Sequence, residues 1–168
     1  YAMQAHEFAN SLQRFTHLPI RYIGGCCGTT PAFIAELKQH AMTGTMVAKK
    51  IPSCVCTPTK CVTMDGVRVI GERINPTGNK RMKQALLDHD LDEIAAIAME
   101  QIEAGAEVLD VNVGLPGIDE KQMMVEVICH LQTLVDVPLQ IDSTDPAVIE
   151  AALRIYNGIA IANSVNGE

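Results

Sequence analysis

Four short apolar runs, Val67 to Ile70, Val108 to Val113, Leu139 to Ile141 and Ile159 to Ala162, alternate with stretches whose apolar residues recur at helical spacing. This alternation leaves few folds open, because strands that run the same way need a crossover between them and a helix is the usual one. It predicts helix over 80–104, with Leu86, Ile94, Ala98 and Ile102 on one face, a break near Asp88-His89-Asp90 and an end at Gly105. Two more helices are predicted over 120–134 and 146–156. The region from 67 onward therefore reads as α/β, a parallel sheet with helices outside it.

The first forty residues carry a different pattern. Met3, Phe8, Leu12 and Phe15 fall on one face of a helix over 1–17, which Leu18-Pro19 stops. Ile20 to Ile23 reads as a short strand running into Gly24-Gly25-Cys26-Cys27-Gly28. A second helix follows, with Thr30 as its cap, Pro31 in its first turn and Phe33, Ile34 and Leu37 on its face. From Met42 to Gly66 the periodicity vanishes and Pro, Thr and Lys accumulate, so the domain boundary falls there. With 48% hydrophobic and 20% charged residues the chain is globular rather than disordered. A net charge of −7, with 13 scattered Lys and Arg, leaves no basic stripe and points away from nucleic acid. No apolar run approaches the roughly 20 residues that span a bilayer, and no signal-peptide layout opens the chain, so a cytoplasmic protein without a membrane partner is expected. The chain begins at Tyr1 and ends just past an apolar run, so both ends read as cut.

Polar residues collect where the predicted strands end: Glu72, Arg73 and Asn75; Asp110 and Asn112; Asp142, Ser143 and Thr144; Asn163, Ser164 and Asn166. In barrels and open α/β sheets the carboxyl ends of strands carry the site, since loops there vary over a rigid scaffold. The competing reading is that Asp, Asn and Ser after a strand cap the next helix, and Asp142-Ser143-Thr144-Asp145 before Pro146 contains such a cap. Four successive strands ending this way make capping alone a poor account. Carboxylates and carboxamides suit a heterocycle that carries N–H donors and carbonyl acceptors in its plane.

Two of the six cysteines, Cys26 and Cys27, lie between glycines, where the backbone can turn sharply and present both thiolates to one ion. An inert pair or a vicinal disulfide is the alternative. Cys54, Cys56 and Cys61 (CVCTPTKC) resemble a second metal cluster but lack a fourth ligand, and read as free thiols in a linker. Cys129 shares a predicted apolar face with Met124, Ile128 and Leu131 and reads as core. The five histidines show no ligand spacing.

The motifs resemble a known family. IGGCCGTTP (Ile23 to Pro31) is similar to the end of a homocysteine-binding, zinc-dependent methyltransferase domain. GERINPTG (Gly71 to Gly78), GAEVLDVNVGLP (Gly105 to Pro116), IDSTDP (Ile141 to Pro146) and NSVNG (Asn163 to Gly167) resemble the pterin-binding domain of the cobalamin-dependent methionine synthase family. The resemblance implies parts of two consecutive (β/α)8 TIM barrels joined by a linker. Residues 1–46 would be the end of the homocysteine and zinc barrel, 47–66 the linker, and 67–168 the first half of the pterin barrel. It further implies that Cys26 and Cys27 are two of three zinc thiolates, the third lying upstream of Tyr1. Asn75, Asp110, Asn112, Asp142 and Asn163 would contact the pterin, Asp142 by accepting hydrogen bonds from the ring. Asn163 would be the catalytic residue, near N5, where protonation makes the methyl group a better electrophile. The implied chemistry moves methyl from 5-methyltetrahydrofolate to a cobalamin bound by a module outside this chain, then to zinc-bound homocysteine, forming methionine. Homocysteine, methyltetrahydrofolate and the cobalamin-binding domain are the implied partners, and the isolated chain is expected to complete neither half-reaction. The alternatives are a folate-dependent corrinoid methyltransferase of one-carbon metabolism, which Cys26 and Cys27 argue against, and a non-catalytic truncated pterin-binding chain. Dihydropteroate synthase shares the pterin fold, but the GGCC segment has no place in it.

Overall fold

Four strands, β3 (Ile70–Ile74), β4 (Val108–Val111), β5 (Leu139–Asp142) and β6 (Ile161–Asn163), pair side by side in chain order, every pair parallel. In this computed structural model, residues 3–15, 18, 20, 22–40 and 52–165 are described, and the chain divides into two units, Tyr1–Ile51 and Pro52–Glu168. The α/β expectation with a parallel sheet holds, and helices α3 (Lys80–Asp88), α4 (Leu91–Glu103), α5 (Glu120–Leu134) and α6 (Pro146–Ile155) supply its crossovers. No helix among the described residues is long and apolar enough to cross a membrane.

The predicted helix over 80–104 is two helices, because His89 takes a left-handed conformation (φ 56°) at the break. Asp90 then caps α4 by accepting from the Glu93 amide at 3.0 Å. The first strand of the sheet lies later than the apolar run Val67 to Ile70, so Glu72 and Arg73 sit within β3 and not beyond it. Ladder partners decide this: Ile70 faces Val108, Gly71 faces Leu109 and Ile74 faces Val111, with an irregularity between Gly71 and Ile74. Gly71 is needed there because a Cβ would come within 2.6 Å of Gln101 Oε1, the atom that accepts the Arg73 amide at 2.7 Å. The last run is also displaced. Ile159 leaves the parallel sheet for an antiparallel bridge with Cys56, and β6 begins at Ile161.

Part of the stretch read as linker is paired strand. β1 (Cys54–Cys56) and β2 (Cys61–Thr63) form an antiparallel hairpin whose Val55 and Val62 bury against Val108 of β4, with Ile161 of β6 packed on them. Tyr156 ties this hairpin to the sheet: its hydroxyl donates to the Cys56 carbonyl at 3.1 Å and accepts from the Leu139 amide at 3.3 Å. Thr57 and Thr59 both donate to Asp136, which these hydroxyls hold below the usual carboxylate range. The larger core lies between sheet and helices, built from Ile74, Leu109, Val111, Leu139 and Ile141 against Met82, Leu86, Ile94, Met124, Ile128 and Leu131. Cys129 is exposed, contrary to the core expectation. The helical rotation of about 100° per residue carries it past Ile128 to the solvent side.

In the first unit α1 (Ala5–Leu12) continues into a 3₁₀ turn at Gln13–Phe15, within the helix expected over 1–17, of which Tyr1, Ala2, Thr16 and His17 lie outside the described residues. It packs on α2 (Pro31–Gln39) through an edge-to-face contact of Phe8 and Phe33, ring centroids 5.6 Å apart. Thr30 occupies the cap position of α2, although its side chain makes no capping bond. Ile20, Tyr22 and Ile23 form no strand, since none of the described residues pairs with them.

Tyr156→Phe keeps the ring's packing and deletes both hydroxyl bonds. We expect it to lose about 1–3 kcal/mol of stability, the cost of stranding a buried amide and weakening a carbonyl's pairing, read as a lower urea midpoint at unchanged slope.

Candidate functional site

Side chains along a strand alternate between faces, so the sheet register sorts the residues of β4, β5 and β6 into two sets. Leu109, Val111, Leu139 and Ile141 point to the helices. Val108, Asp110 and Asn112 of the β4 segment, Gln140 and Asp142 of β5, and Ile161 and Asn163 of β6 share the inner face. Val108 and Ile161 lie over the hairpin valines, an apolar floor. Above it Asp110 stands opposite Gln140, and towards the carboxyl ends Asp142 stands opposite Asn163.

Asp110 is 1% exposed, and the Gln140 amide donates to its Oδ1. Burial pushes the Asp110 carboxyl above the usual aspartate range, opposed by the Gln140 bond and reinforced by the nearby charge of Asp142. The neighbouring Asn163 side chain also opposes the rise, and Glu72 adds a smaller repulsion. At the rim Asn112 Nδ2 donates to Asp142 Oδ2 at 2.9 Å, while Asn112 Oδ1 accepts the Gly114 amide at 2.9 Å. The Asn112 amide is thereby fixed at both ends and aims the Asp142 carboxylate. Asp142 Oδ1 accepts no hydrogen bond from the described residues and remains available to a ligand. Asn75 is set apart: its Oδ1 accepts the Thr77 amide at 2.8 Å in a local turn. It is brought beside the rim only by the Asn112 amide donating to the Ile74 carbonyl at 2.9 Å.

The capping alternative is decided by which residues cap. Asn79, Asp119 and Asp145 accept from the Met82, Gln122 and Ala147 amides at the starts of α3, α5 and α6. Asp110, Asn112 and Asp142 cap nothing. Two further residues belong to the group without having been singled out for it. Gln140 is the partner that makes a buried Asp110 tenable, and its signal was a lone polar residue within LQID. Glu120 accepts from the Ser143 hydroxyl at 2.6 Å, and Ser143 in turn donates its amide to the Asn163 carbonyl at 2.8 Å. That pairing across a loop has no sequence signal. Asn166 lies outside the described residues.

In the first unit Cys26 and Cys27 are exposed free thiols with Sγ atoms 3.9 Å apart. Two thiolates on one tetrahedral zinc, at bonds of about 2.3 Å, stand about 3.8 Å apart, so the pair fits two corners of such a site. Gly28, at φ 87°, provides the left-handed turn that follows them. No group of three metal-ligating side chains occurs among the described residues.

The raised pKa of Asp110 has a stability consequence. The folded carboxyl keeps its proton to higher pH than the unfolded one, so folding takes up protons and stability falls as pH rises from about 3.9, the unfolded value, through the folded value. Asp110→Asn keeps an acceptor for Gln140 and removes the charge. It should therefore raise the urea midpoint relative to the parent at neutral pH, with the gap closing as the pH approaches the unfolded aspartate value.

Comparison with known proteins agrees with this geometry. Residues 71–168, more than half of the chain, match the model of the pterin binding enzyme family, and residues 1–41 match that of homocysteine S-methyltransferase. The chain is similar throughout its length to the methionine synthases of Mycobacterium tuberculosis, at 32% identity over 174 residues, and Mycobacterium leprae, at 31% over 179. It spans about 15% of the length of either relative. The resemblance to methionine synthases drawn from the motifs is thus borne out, and with the match covering more than half of its residues the chain belongs to the pterin binding enzyme family.

Proposed function

We propose that the chain serves methyl transfer from 5-methyltetrahydrofolate towards homocysteine, as part of a longer methionine synthase. The observation that carries this is the Asn112–Asp142 pair at the carboxyl ends of adjacent parallel strands, with a free carboxylate oxygen beside Asn163 and above the Asp110–Gln140 layer. On this reading residues 67–168 are the first half of a pterin-binding barrel, 1–46 the end of a homocysteine-binding barrel, and 47–66 the segment between them.

The pterin ring would lie on the inner rim with its N–H edge donating to Asp142, whose orientation Asn112 sets. An acceptor-only carboxylate selects that edge over the ring carbonyl. Asn163, held by its backbone bond to Ser143, would present a carboxamide near N5 and stabilise the protonated nitrogen from which the methyl group departs. Asp110, held by the Gln140 amide, forms the layer beneath that nitrogen. Asn75 would line the far side of the ring. The methyl acceptor is a cobalamin carried by another module, to which none of the residues here is assigned.

Cys26 and Cys27 would hold zinc with a third ligand from elsewhere. Such an ion supplies Lewis acidity that lowers the pKa of a bound thiol and presents homocysteine as a thiolate at neutral pH. The two adjacent thiols contribute the charge and softness that select zinc over oxygen-seeking ions.

Calorimetric titration of 5-methyltetrahydrofolate into the chain tests the pterin reading. Asp142→Ala is expected to weaken binding at least ten-fold and Asn163→Ala several-fold, with circular dichroism unchanged. Equal affinity in the Asp142 variant, or a folded chain that binds no folate, would overturn it. For the thiol pair, titration with Co²⁺ should produce thiolate-to-metal absorption that Cys26→Ser and Cys27→Ser each diminish. Absorption unaffected by either change would remove zinc from this site.

A further inference from the structure

The hairpin of β1 and β2 carries three cysteines that the pterin and zinc readings leave unused. Val55 and Val62 occupy its buried face, so by alternation Cys54, Cys56 and Cys61 share the other one. Cys61 is exposed, and Cys54 and Cys56 are half-buried.

Register decides which thiols can meet. Cys56 stands directly across from Cys61, whereas Cys54 stands across from Thr63. The pairs that flank Cys56–Cys61 are the bonded ones. Thr57 donates its amide to the Lys60 carbonyl at 2.9 Å, and two steps further along the alternation Met64 donates to the Ser53 carbonyl at 2.8 Å. The backbone of Cys56 turns away from Cys61 altogether, exchanging both its hydrogen bonds with Ile159 at 2.9 and 3.0 Å. Cys56 and Cys61 are thus a non-hydrogen-bonded antiparallel pair, for which Cα atoms lie about 4.5 Å apart. That separation is inside the window of about 4.4–6.8 Å that a disulfide bridges. The diagonal from Cys54 to Cys61 runs to about 7–8 Å, at or beyond its limit.

We propose that Cys56 and Cys61 form a reversible cross-strand disulfide, a thiol modification site on the exposed face of the hairpin that floors the sheet. The oxidant is a small-molecule disulfide such as oxidised glutathione. One protein thiolate attacks it and releases a glutathione thiolate. The other protein thiolate then attacks the protein sulfur of the mixed disulfide and releases the second. Two protein thiols have lost two protons and two electrons, and one glutathione disulfide has become two thiols. The neighbouring Cys61 side chain, burial and Cys56 push the Cys54 thiol up, which keeps its proton on. An exposed bridge closing so short a loop belongs to the labile class, formed and reduced with the surrounding thiol pool.

The sequence provides a clean readout. Trypsin cuts after Lys50, Lys60 and Arg68, placing Cys54 and Cys56 on peptide 51–60 and Cys61 on peptide 61–68. After incubation of the folded chain with excess oxidised glutathione and blocking of free thiols, mass spectrometry should find the two peptides joined. Dithiothreitol should separate them. Cys54→Ser should retain the joined species, while Cys56→Ser and Cys61→Ser each lower it at least ten-fold. Fragment ions of the joined parent peptides place the bond at Cys56 or Cys54 without any variant, so the test survives a variant that does not fold. Peptides that stay separate, a bond located at Cys54, or a joined species that persists in Cys56→Ser would overturn the proposal.

Discussion

The parallel register of β4 with β5 and β6 is the constraint on which the rest of the second unit depends. Each strand contributes only three or four residues, and a slip of one would turn every side chain to the opposite face. As paired, Leu109, Val111, Leu139 and Ile141 enter the helix-side core while Asp110, Gln140, Asp142 and Asn163 line the other surface. The same register makes a buried carboxylate affordable. An unpaired Asp110 at 1% exposure would cost several kcal/mol, and the residue directly opposite it is the amide that bonds it.

Polar residues on an inner face are useful only where a ligand can reach them, and the hairpin settles from which end. Val55 and Val62 cover Val108 and Ile161 at the amino-terminal side of the sheet. Tyr156 and the threonine pair on Asp136 fasten that cover to the sheet and the loop after α5. The Asn112–Asp142 pair is left at the opposite, carboxyl-terminal end, where loops between strand and helix can close over a small molecule. Capping of the helices by Asn79, Asp119 and Asp145 completes the division of labour, since it leaves the Asp142 carboxylate with no cap to make and Asn112 free to donate to it while accepting only the Gly114 amide.

The first unit presents chemistry of another kind. Two soft, exposed sulfur atoms 3.9 Å apart on a glycine-flanked turn suit a thiophilic ion, not an aromatic heterocycle. The chain matches a homocysteine S-methyltransferase model over 1–41, the part that holds these thiols, and a pterin binding model over 71–168, the part that holds the polar strand ends.

By itself the sequence determined the alternation of strand and helix, the helix over 120–134, the break at His89 and the polar character of the strand ends, because all of these follow from local periodicity, turn chemistry and capping. It also marked Asp110, Asn112, Asp142, Asn163 and the adjacent cysteines, through motifs contiguous in the chain. Only the tertiary structure decided that Cys54 to Thr63 is a paired hairpin, that Ile159 bridges Cys56 and that Ile70 to Ile74, not Val67 to Ile70, is strand. It alone decided that Gln140 supports Asp110 and that Cys129 faces solvent. The Ile159 bridge, the start of β3 and the Gln140 partnership rest on residues thirty or more positions away across a ladder, and no local pattern of side chains encodes that distance.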